Sequence, residues 1–317
     1  MIETLKVKGI KIGSVEDKEA LTGCTVIICE EGMTPGVDVR GGAPGTRETD
    51  LMNPLNSVDK IHALLLSGGS AFGLNASSGV VKYLEERGIG FDVGVAKVPI
   101  VSSAVIFDLA IGSANIRPDE KMGYEACLKA ENTFKSGSYG AGCGASIGKI
   151  RGHEYALKSG QGIYTIEMED GLIVTAIVVL NAFGDVYEDG KLLGGALNDD
   201  KTGFLDTEKY IQETGQFFGF AGGNTTIGAI LTNANLNKSQ TNKIAQMAHN
   251  GYARAIRPVH TSVDGDTIFC LATNKVEIKS VDVVGTLSVI AMEKAILNAL
   301  KTSKSMKDIK SLQEIIK

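Results

Sequence analysis

Gly222-Gly223-Asn224-Thr225-Thr226-Ile227-Gly228, running on into AILTNANL (229–236), is the stretch on which the reading of this chain turns. Two glycines lead to Asn-Thr, and an apolar segment opens at once. One interpretation is plain: a turn feeding a buried strand over Thr225–Thr232. The other is a nucleophile held inside the chain. A threonine hydroxyl is a weak nucleophile and needs a base beside it. If the Asn224–Thr225 bond were cut, Thr225 would become a chain terminus. Its own α-amine, with a pKa of ~7.7–8.0, would then serve as that base near neutral pH. No histidine is required by such a scheme.

Two further positions fit the second interpretation. Asp264-Gly265-Asp266 lies in the turn between a helical pattern, Lys238–Ile256, and a strand pattern, Asp266–Ala272 (DTIFCLA). Asp-Gly is ordinary turn chemistry. It also offers two carboxylates able to orient an ammonium and a hydroxyl at Thr225. Asn181 follows the apolar run Leu172–Leu180. A buried amide must find hydrogen-bond partners, and one of them could be the oxyanion of an acyl intermediate.

Working outward, Thr25–Cys29 and His62–Leu66 read as short buried strands. The first leads into GMTPGVDVRGGAPGTRETD (32–50), read as a long loop, and the second into SGGSAFG and a helix over Leu74–Arg87. Met122–Lys135 reads as a second helix. Ile163–Met168 and Leu172–Leu180 form a hairpin pattern about Glu169-Asp170-Gly171. Val281–Lys301 is a long, mostly apolar helix pattern, buried within the fold or between subunits. Strand runs alternate with paired helices, but not in strict βαβ order. The expected class is α+β, with sheets inside and helices outside.

Composition narrows the function. The chain has 317 residues, with 32 basic and 37 acidic side chains for a net charge of −5. A nucleic-acid binder would show a basic excess, so no nucleic-acid partner is expected. Five cysteines, an odd number with no C-x-x-C, argue against a disulfide framework or a cysteine zinc site. They point to a reducing, cytoplasmic compartment. MIETLKVKGIKIG does not resemble a signal peptide. The longest strongly apolar run, Leu172–Leu180, falls short of the ~20 residues that span a bilayer, so no membrane association is expected. The four histidines (His62, His153, His249, His260) are scattered and make no metal-binding motif. GSYGAGCGASIGK (137–149) is neither a dinucleotide fingerprint nor a P-loop. It reads either as a tight turn between packed layers or as a loop lining a site. Its G-x-S-x-G, centred on Ser146, lacks the preceding strand that a nucleophile elbow needs.

GMTPGVDVRGGAPGTRETD (32–50), HALLLSGGSAFGL (62–74), GAGCGA (140–145), LNAFGDV (180–186), GGNTTIGAILTNA (222–234) and DGDTIF (264–269) occur in this order. With them the chain resembles the self-cleaving L-aminopeptidase/D-esterase/amidase family, which includes β-aminopeptidases and nylon-oligomer hydrolases. The resemblance runs from about residue 10 to 300. It implies a single domain, 1–317, built as a four-layer αββα sandwich like that of the N-terminal-nucleophile hydrolases but with distinct connectivity. It implies self-cleavage between Asn224 and Thr225 into an α-chain, 1–224, and a β-chain, 225–317. By resemblance Thr225 is the nucleophile, Asp264 and Asp266 the acidic pair of the threonine branch, and Asn181 the oxyanion residue. The family's lysine falls on Lys158 in ALKSGQGIY, with Lys149 in SIGK as the competing position. The match there is Lys-Ser-Gly rather than Lys-Gly-Gly, and the glycine loop carries Cys143 where a Thr or smaller residue is expected. Ser67, Gly68, Gly69 and Ser70, with the loop 32–50, are the expected substrate-binding positions. The implied activity is hydrolysis of a small peptide, amide or ester through an acyl-enzyme, without a cofactor, by a homo-oligomer of αβ units. Two alternatives are an acyltransferase of the ornithine acetyltransferase type and a non-catalytic relative that binds a small amide. A free α-amine as base implies a pH limb between about 6.5 and 9.

Overall fold

The structure is a computed structural model and describes residues 1–217 and 223–316. Gly222, the first residue of the Gly-Gly-Asn-Thr stretch, lies outside the described residues.

Two sheets share one long strand. The first sheet contains β1 (Lys11–Asp17), the N-terminal half of β2 (Thr22–Val39), β3 (Ile61–Ser67) and β4 (Val101–Val105). β1 and β3 both pair antiparallel with β2, and β4 runs parallel to β3. The second sheet has the order β5 (Gln161–Glu167), β6 (Ile173–Asn181), β7 (Thr225–Ala234), β8 (Thr267–Val276) and then the C-terminal half of β2. Only β7 and β8 are parallel in it.

The sharing of β2 corrects the reading of 32–50 as loop throughout. Thr34 to Val39 pair residue by residue with Ala272 to Thr267 of β8. Glycine and proline mark that segment as broken, yet a neighbouring strand edge supplies every partner an extended chain requires. The register slips between Ile28 and Met33, where Gly32 at φ +77° provides a turn that side-chain-bearing residues resist.

Helices cover both outer faces. α1 (Ala76–Glu85) and α2 (Glu120–Leu128) lie on the first sheet, and α3 (Lys238–Ala255) and α4 (Val281–Thr302) on the second. Apolar residues fill the three interfaces. Val26, Leu65, Val80 and Leu84 lie between α1/α2 and the first sheet. Ile27, Leu64, Leu66, Ile177, Ile227 and Phe269 lie between the sheets. Val178, Ile230, Ala248, Met292 and Ala295 lie between the second sheet and α3/α4. The chain is therefore an α+β protein in four layers, αββα. Sheet alternation explains it: Ile177 and Val178 are neighbours in β6, so they face opposite layers.

α2 ends earlier than the expected Met122–Lys135 helix. Thr133–Lys135 instead forms a strand that pairs antiparallel with Ile2–Thr4. α4 is long and apolar enough to cross a membrane by length and composition, but 61% of that window is buried inside the sandwich. Val283 and Ile290 are large apolar side chains that it leaves exposed.

Candidate active site

Sheet register assembles the site. β6 and β7 are antiparallel, so the last residue of β6, Asn181, lies directly opposite the first of β7, Thr225. β7 and β8 are parallel with Ile227 opposite Thr267. The residues just before β8 therefore lie beside the start of β7, and Asn224 forms a bridge with Asp264. Asn181, Thr225, Asp264 and Asp266, distant in sequence, meet at one end of the second sheet and are all buried.

The peptide carbonyl between Asn224 and Thr225 is held from two sides. Gly265 N–H donates to Asn224 O at 2.9 Å, and the Thr225 hydroxyl hydrogen-bonds to the same oxygen. Gly265 has to be small. A Cβ there would lie 2.7 Å from Thr225 Oγ1 and 2.8 Å from Ala43 O. The Arg40–Ala43 segment braces this turn from behind: Arg40 N–H donates to Asp266 O at 2.9 Å and Ala43 N–H to Asp264 O at 2.8 Å.

Backbone and side-chain donors fix the two carboxylates. Asp266 Oδ1 accepts from Thr226 N–H at 2.7 Å. Its Oδ2 accepts from His260 N–H at 3.1 Å and lies 2.9 Å from His260 Nδ1. Asp264 accepts from Phe183 N–H at 3.3 Å, from Thr261 N–H at 3.0 Å and from the Thr261 hydroxyl. Burial, and then the nearby Asp266 charge, push the Asp264 carboxyl up to about 6.

The two lysines part company. Lys149 Nζ donates to Asn181 Oδ1 at 2.8 Å, to Asn181 O at 3.0 Å and to Gly223 O at 3.5 Å, one residue before the Asn224–Thr225 pair. Its backbone explains the placement: Gly148 N–H and Lys149 N–H donate to Gly184 O and Phe183 O, laying this segment along the chain just after Asn181. Burial pulls Lys149 down to about 7 and outweighs the attraction of Asp264, Asp108 and Asp266. Lys158 is also buried, but its Nζ donates to the carbonyls of Gly142, Ala145 and Ser159. The lysine at Asn181 is thus Lys149, and Lys158 ties down the glycine loop. Cys143 of that loop is buried, with its thiol 3.8 Å from Asp17 O and pushed up to about 11 by burial.

Asn181 is fully engaged on its oxygen side. Oδ1 accepts from Lys149 and from Ser146 N–H at 3.1 Å, and Nδ2 donates to Phe107 O at 3.0 Å. An amide nitrogen carries two hydrogens, so one hydrogen remains beyond the Phe107 bond. Ser146 contributes its backbone here. Among the described residues its hydroxyl is buried without a hydrogen-bond partner, and no histidine is paired with it as a base.

The 67–70 segment folds around a residue that sequence reading did not single out. Asp108 accepts from Gly69 N–H at 2.7 Å and from the Thr22 hydroxyl at 2.7 Å. A Cβ on Gly68 or Gly144 would collide with its side chain. Ser67 donates to Gly68 O at 3.1 Å, and Ser70 N–H to Ile106 O at 3.0 Å. Burial pushes Asp108 up to about 6, against its hydrogen bonds and the charge of Lys149. The signal available in the sequence was an acid directly after an apolar run, VSSAVIF, with glycine loops elsewhere to wrap it. Among the described residues no group of three or more His, Cys, Asp or Glu is placed to hold a metal ion.

An αββα sandwich with Asn181, Thr225, Asp264 and Asp266 buried together at one end of its second sheet defines the class of the fold. Solved structures agree on the fold. One is the L-aminopeptidase D-Ala-esterase/amidase of Ochrobactrum anthropi, described as a variant of the Ntn hydrolase fold. It superposes with a TM-score of 0.73 at 18% identity, covering 95% of this chain and 86% of its own. A Burkholderia β-aminopeptidase gives 0.72 at 17% identity, covering 100% and 94%. In sequence, an uncharacterized aminopeptidase of Mycobacterium leprae is 42% identical over 277 residues, 80% of this chain and 72% of that protein. A 6-aminohexanoate-oligomer endohydrolase of Agromyces is 33% identical over 277 residues, 85% of this chain and 74% of its own. The model of peptidase family S58 matches residues 4–313. The chain belongs to peptidase family S58 and is a hydrolase of the aminopeptidase and amidase kind.

Proposed function

We propose that the protein cuts itself between Asn224 and Thr225 and then hydrolyses small peptides, amides or esters of aminopeptidase type through an acyl-enzyme on Thr225. The observation that carries this reading is the doubly held Asn224 carbonyl: Gly265 N–H on its oxygen, with the Thr225 hydroxyl at the same atom.

In the uncut chain the Thr225 nitrogen is an amide and cannot act as a base. Lys149, whose amine burial brings down to about 7, reaches the carbonyl of Gly223, one peptide before the bond. Its neutral amine takes the hydroxyl proton as Thr225 Oγ1 bonds to the Asn224 carbonyl carbon. Negative charge collects on the oxygen that Gly265 N–H already contacts. The C–N bond then breaks, and the proton passes to the Thr225 nitrogen, leaving an ester. Water hydrolyses that ester, freeing the Asn224 carboxylate and the Thr225 α-amine.

Substrate turnover repeats the chemistry with the substrate carbonyl where the Asn224 carbonyl stood. The Thr225 α-amine is now the base. Asp266 and Asp264, fixed at the start of β7, orient the ammonium it becomes. Gly265 N–H and the remaining Asn181 Nδ2 hydrogen are the donors for the oxyanion. A related proposal is assembly of the cut αβ units into a homo-oligomer, supported by exposed Val283 and Ile290 on α4. Light scattering at the mass of one 33.4 kDa unit contradicts it.

The test is to trap the acyl group. Enzyme mixed with an activated aminoacyl ester and quenched in acid should carry the added mass on the first residue of fragment 225–317. Amide substrates should yield free acid and amine. An acyl group mapped to any other residue, or none during active turnover, defeats the reading.

A further inference from the structure

Asp266 is held on both oxygens, and one of its holders is a side chain that the steps above leave unused. His260 reaches Asp266 Oδ2 twice, through its backbone N–H at 3.1 Å and its ring Nδ1 at 2.9 Å. A carboxylate only accepts, so Nδ1 carries the hydrogen. Placing both donors on one oxygen puts His260 at φ +57°, a left-handed conformation that costs a residue bearing a Cβ. The ring is largely buried, with 19% of the side chain exposed. It packs against His249 and Tyr252 of α3, with centroids 4.7 and 6.0 Å away. Behind them His249 Nε2 lies 3.0 Å from Asp38 O on β2 and 3.6 Å from its carboxylate, within the field of Arg40. Burial pulls His249 down to about 4, which keeps it neutral beside His260. The His260 ring is thus clamped on its far side by uncharged aromatic groups and aimed at the carboxylate on its near side. Asp266 Oδ1, in turn, is committed to Thr226 N–H, the amide directly after the nucleophile.

We propose that His260 is a positioning residue for Asp266: it locks the carboxylate plane so that its charge faces the start of β7, where self-cleavage creates the Thr225 ammonium. This rests on the reading of Thr225 as nucleophile and deepens it. The geometry has the logic of a buried acid holding a histidine in a hydrolytic triad, with the roles exchanged: here the histidine holds the acid. It leaves untouched the expectation that no histidine is required as the base, since His260 acts on Asp266 and not on the Thr225 hydroxyl.

Two substitutions separate positioning from simple support of the fold. His260→Gly suits the positive φ and removes the imidazole. His260→Asn also tolerates that backbone and returns a donor near the position of Nδ1. Both are purified in the cut form and assayed on an aminoacyl amide. His260→Gly should lose about 10²-fold in kcat, the scale of a small misplacement of a catalytic group, with KM changed less than about threefold. His260→Asn should regain most of that loss, and added imidazole should rescue the glycine variant in part. Full kcat in His260→Gly overturns the proposal, and so does an equal loss in the glycine and asparagine variants. If His260→Gly does not fold, His260→Asn is compared with His260→Asp, which has the same size but opposes the Asp266 charge. Equal turnover by those two overturns the proposal. Thr225→Ala is run in parallel: if it still hydrolyses the amide, the nucleophile reading itself has failed, whatever His260 does.

Discussion

Lys149 and Lys158 sit on neighbouring pieces of chain, both buried and both with amines pulled down by burial, to about 7 and about 8. They differ in what receives their hydrogens. Lys158 spends its donors on three backbone carbonyls, those of Gly142, Ala145 and Ser159. Lys149 spends two on Asn181 and reaches the Gly223 carbonyl, within the field of Asp264, Asp108 and Asp266. Burial alone therefore does not mark a catalytic amine. A lysine closed on carbonyls braces a loop; under the proposed mechanism, one shared between a side-chain amide and the Gly223 carbonyl exchanges its proton at the neighbouring peptide.

The widest gap between them should appear in self-cleavage. Lys149→Met should slow conversion of precursor by roughly 10²–10⁴-fold, the range for loss of a general base. Lys158→Met should slow it less than about tenfold. Gel densitometry over time measures both, and comparable rates would erase the distinction. Next come the carboxylates on the same side as Lys149. Asp264→Asn and Asp266→Asn should each reduce turnover of the cut enzyme by about 10²–10⁴-fold, and each should also lower the melting temperature, because the new amide NH2 faces buried N–H donors. Full activity in both refutes their role. Gly265→Ala is expected to be milder, about 10²-fold on processing, because its Cβ would crowd Thr225 Oγ1 and displace the nearby donor by a fraction of an ångström. An unaffected rate would remove Gly265 N–H from the account. The smallest effect is on stability. Both lysines titrate at 10.5 in an ordinary setting but near 7 and 8 when folded. Between the folded and ordinary values the unfolded chain binds the extra proton, so stability rises with pH across that window. Relative to wild type, each Lys→Met variant should lose up to about 1.4 kcal/mol per pH unit of that rise. For Lys149 the loss should begin about one pH unit lower than for Lys158. Denaturant titrations from pH 6.5 to 10 would show it, and identical slopes in all three proteins contradict it.

Much of this is legible in the sequence. Hydrophobic runs marked β5, β6, β7, β8, α3 and α4 to within a few residues, because their burial depends on local periodicity. Asn181, Thr225, Asp264 and Asp266 stood out because each flanks a strand end, and the sheet register brings those ends together. What the chain hid was non-local. Thr34–Val39 is extended only because β8 offers it an edge. The family spacing favours Lys158 over Lys149, while the backbone pairing of 148–149 with 183–184 cannot be read from either motif. Asp108 and His260 belong to no spacing at all. One is found by the loops that wrap it, the other by a positive φ that aims it at Asp266.

The central claim is that Thr225 severs its own chain, and intact-mass measurement on freshly purified protein tests it most directly. Wild type should resolve into two species whose masses meet at the Asn224–Thr225 bond, and Thr225→Ala should remain a single folded chain of full length. A wild-type protein that stays whole while hydrolysing substrate, or a Thr225→Ala chain that still parts at that bond, would contradict the account.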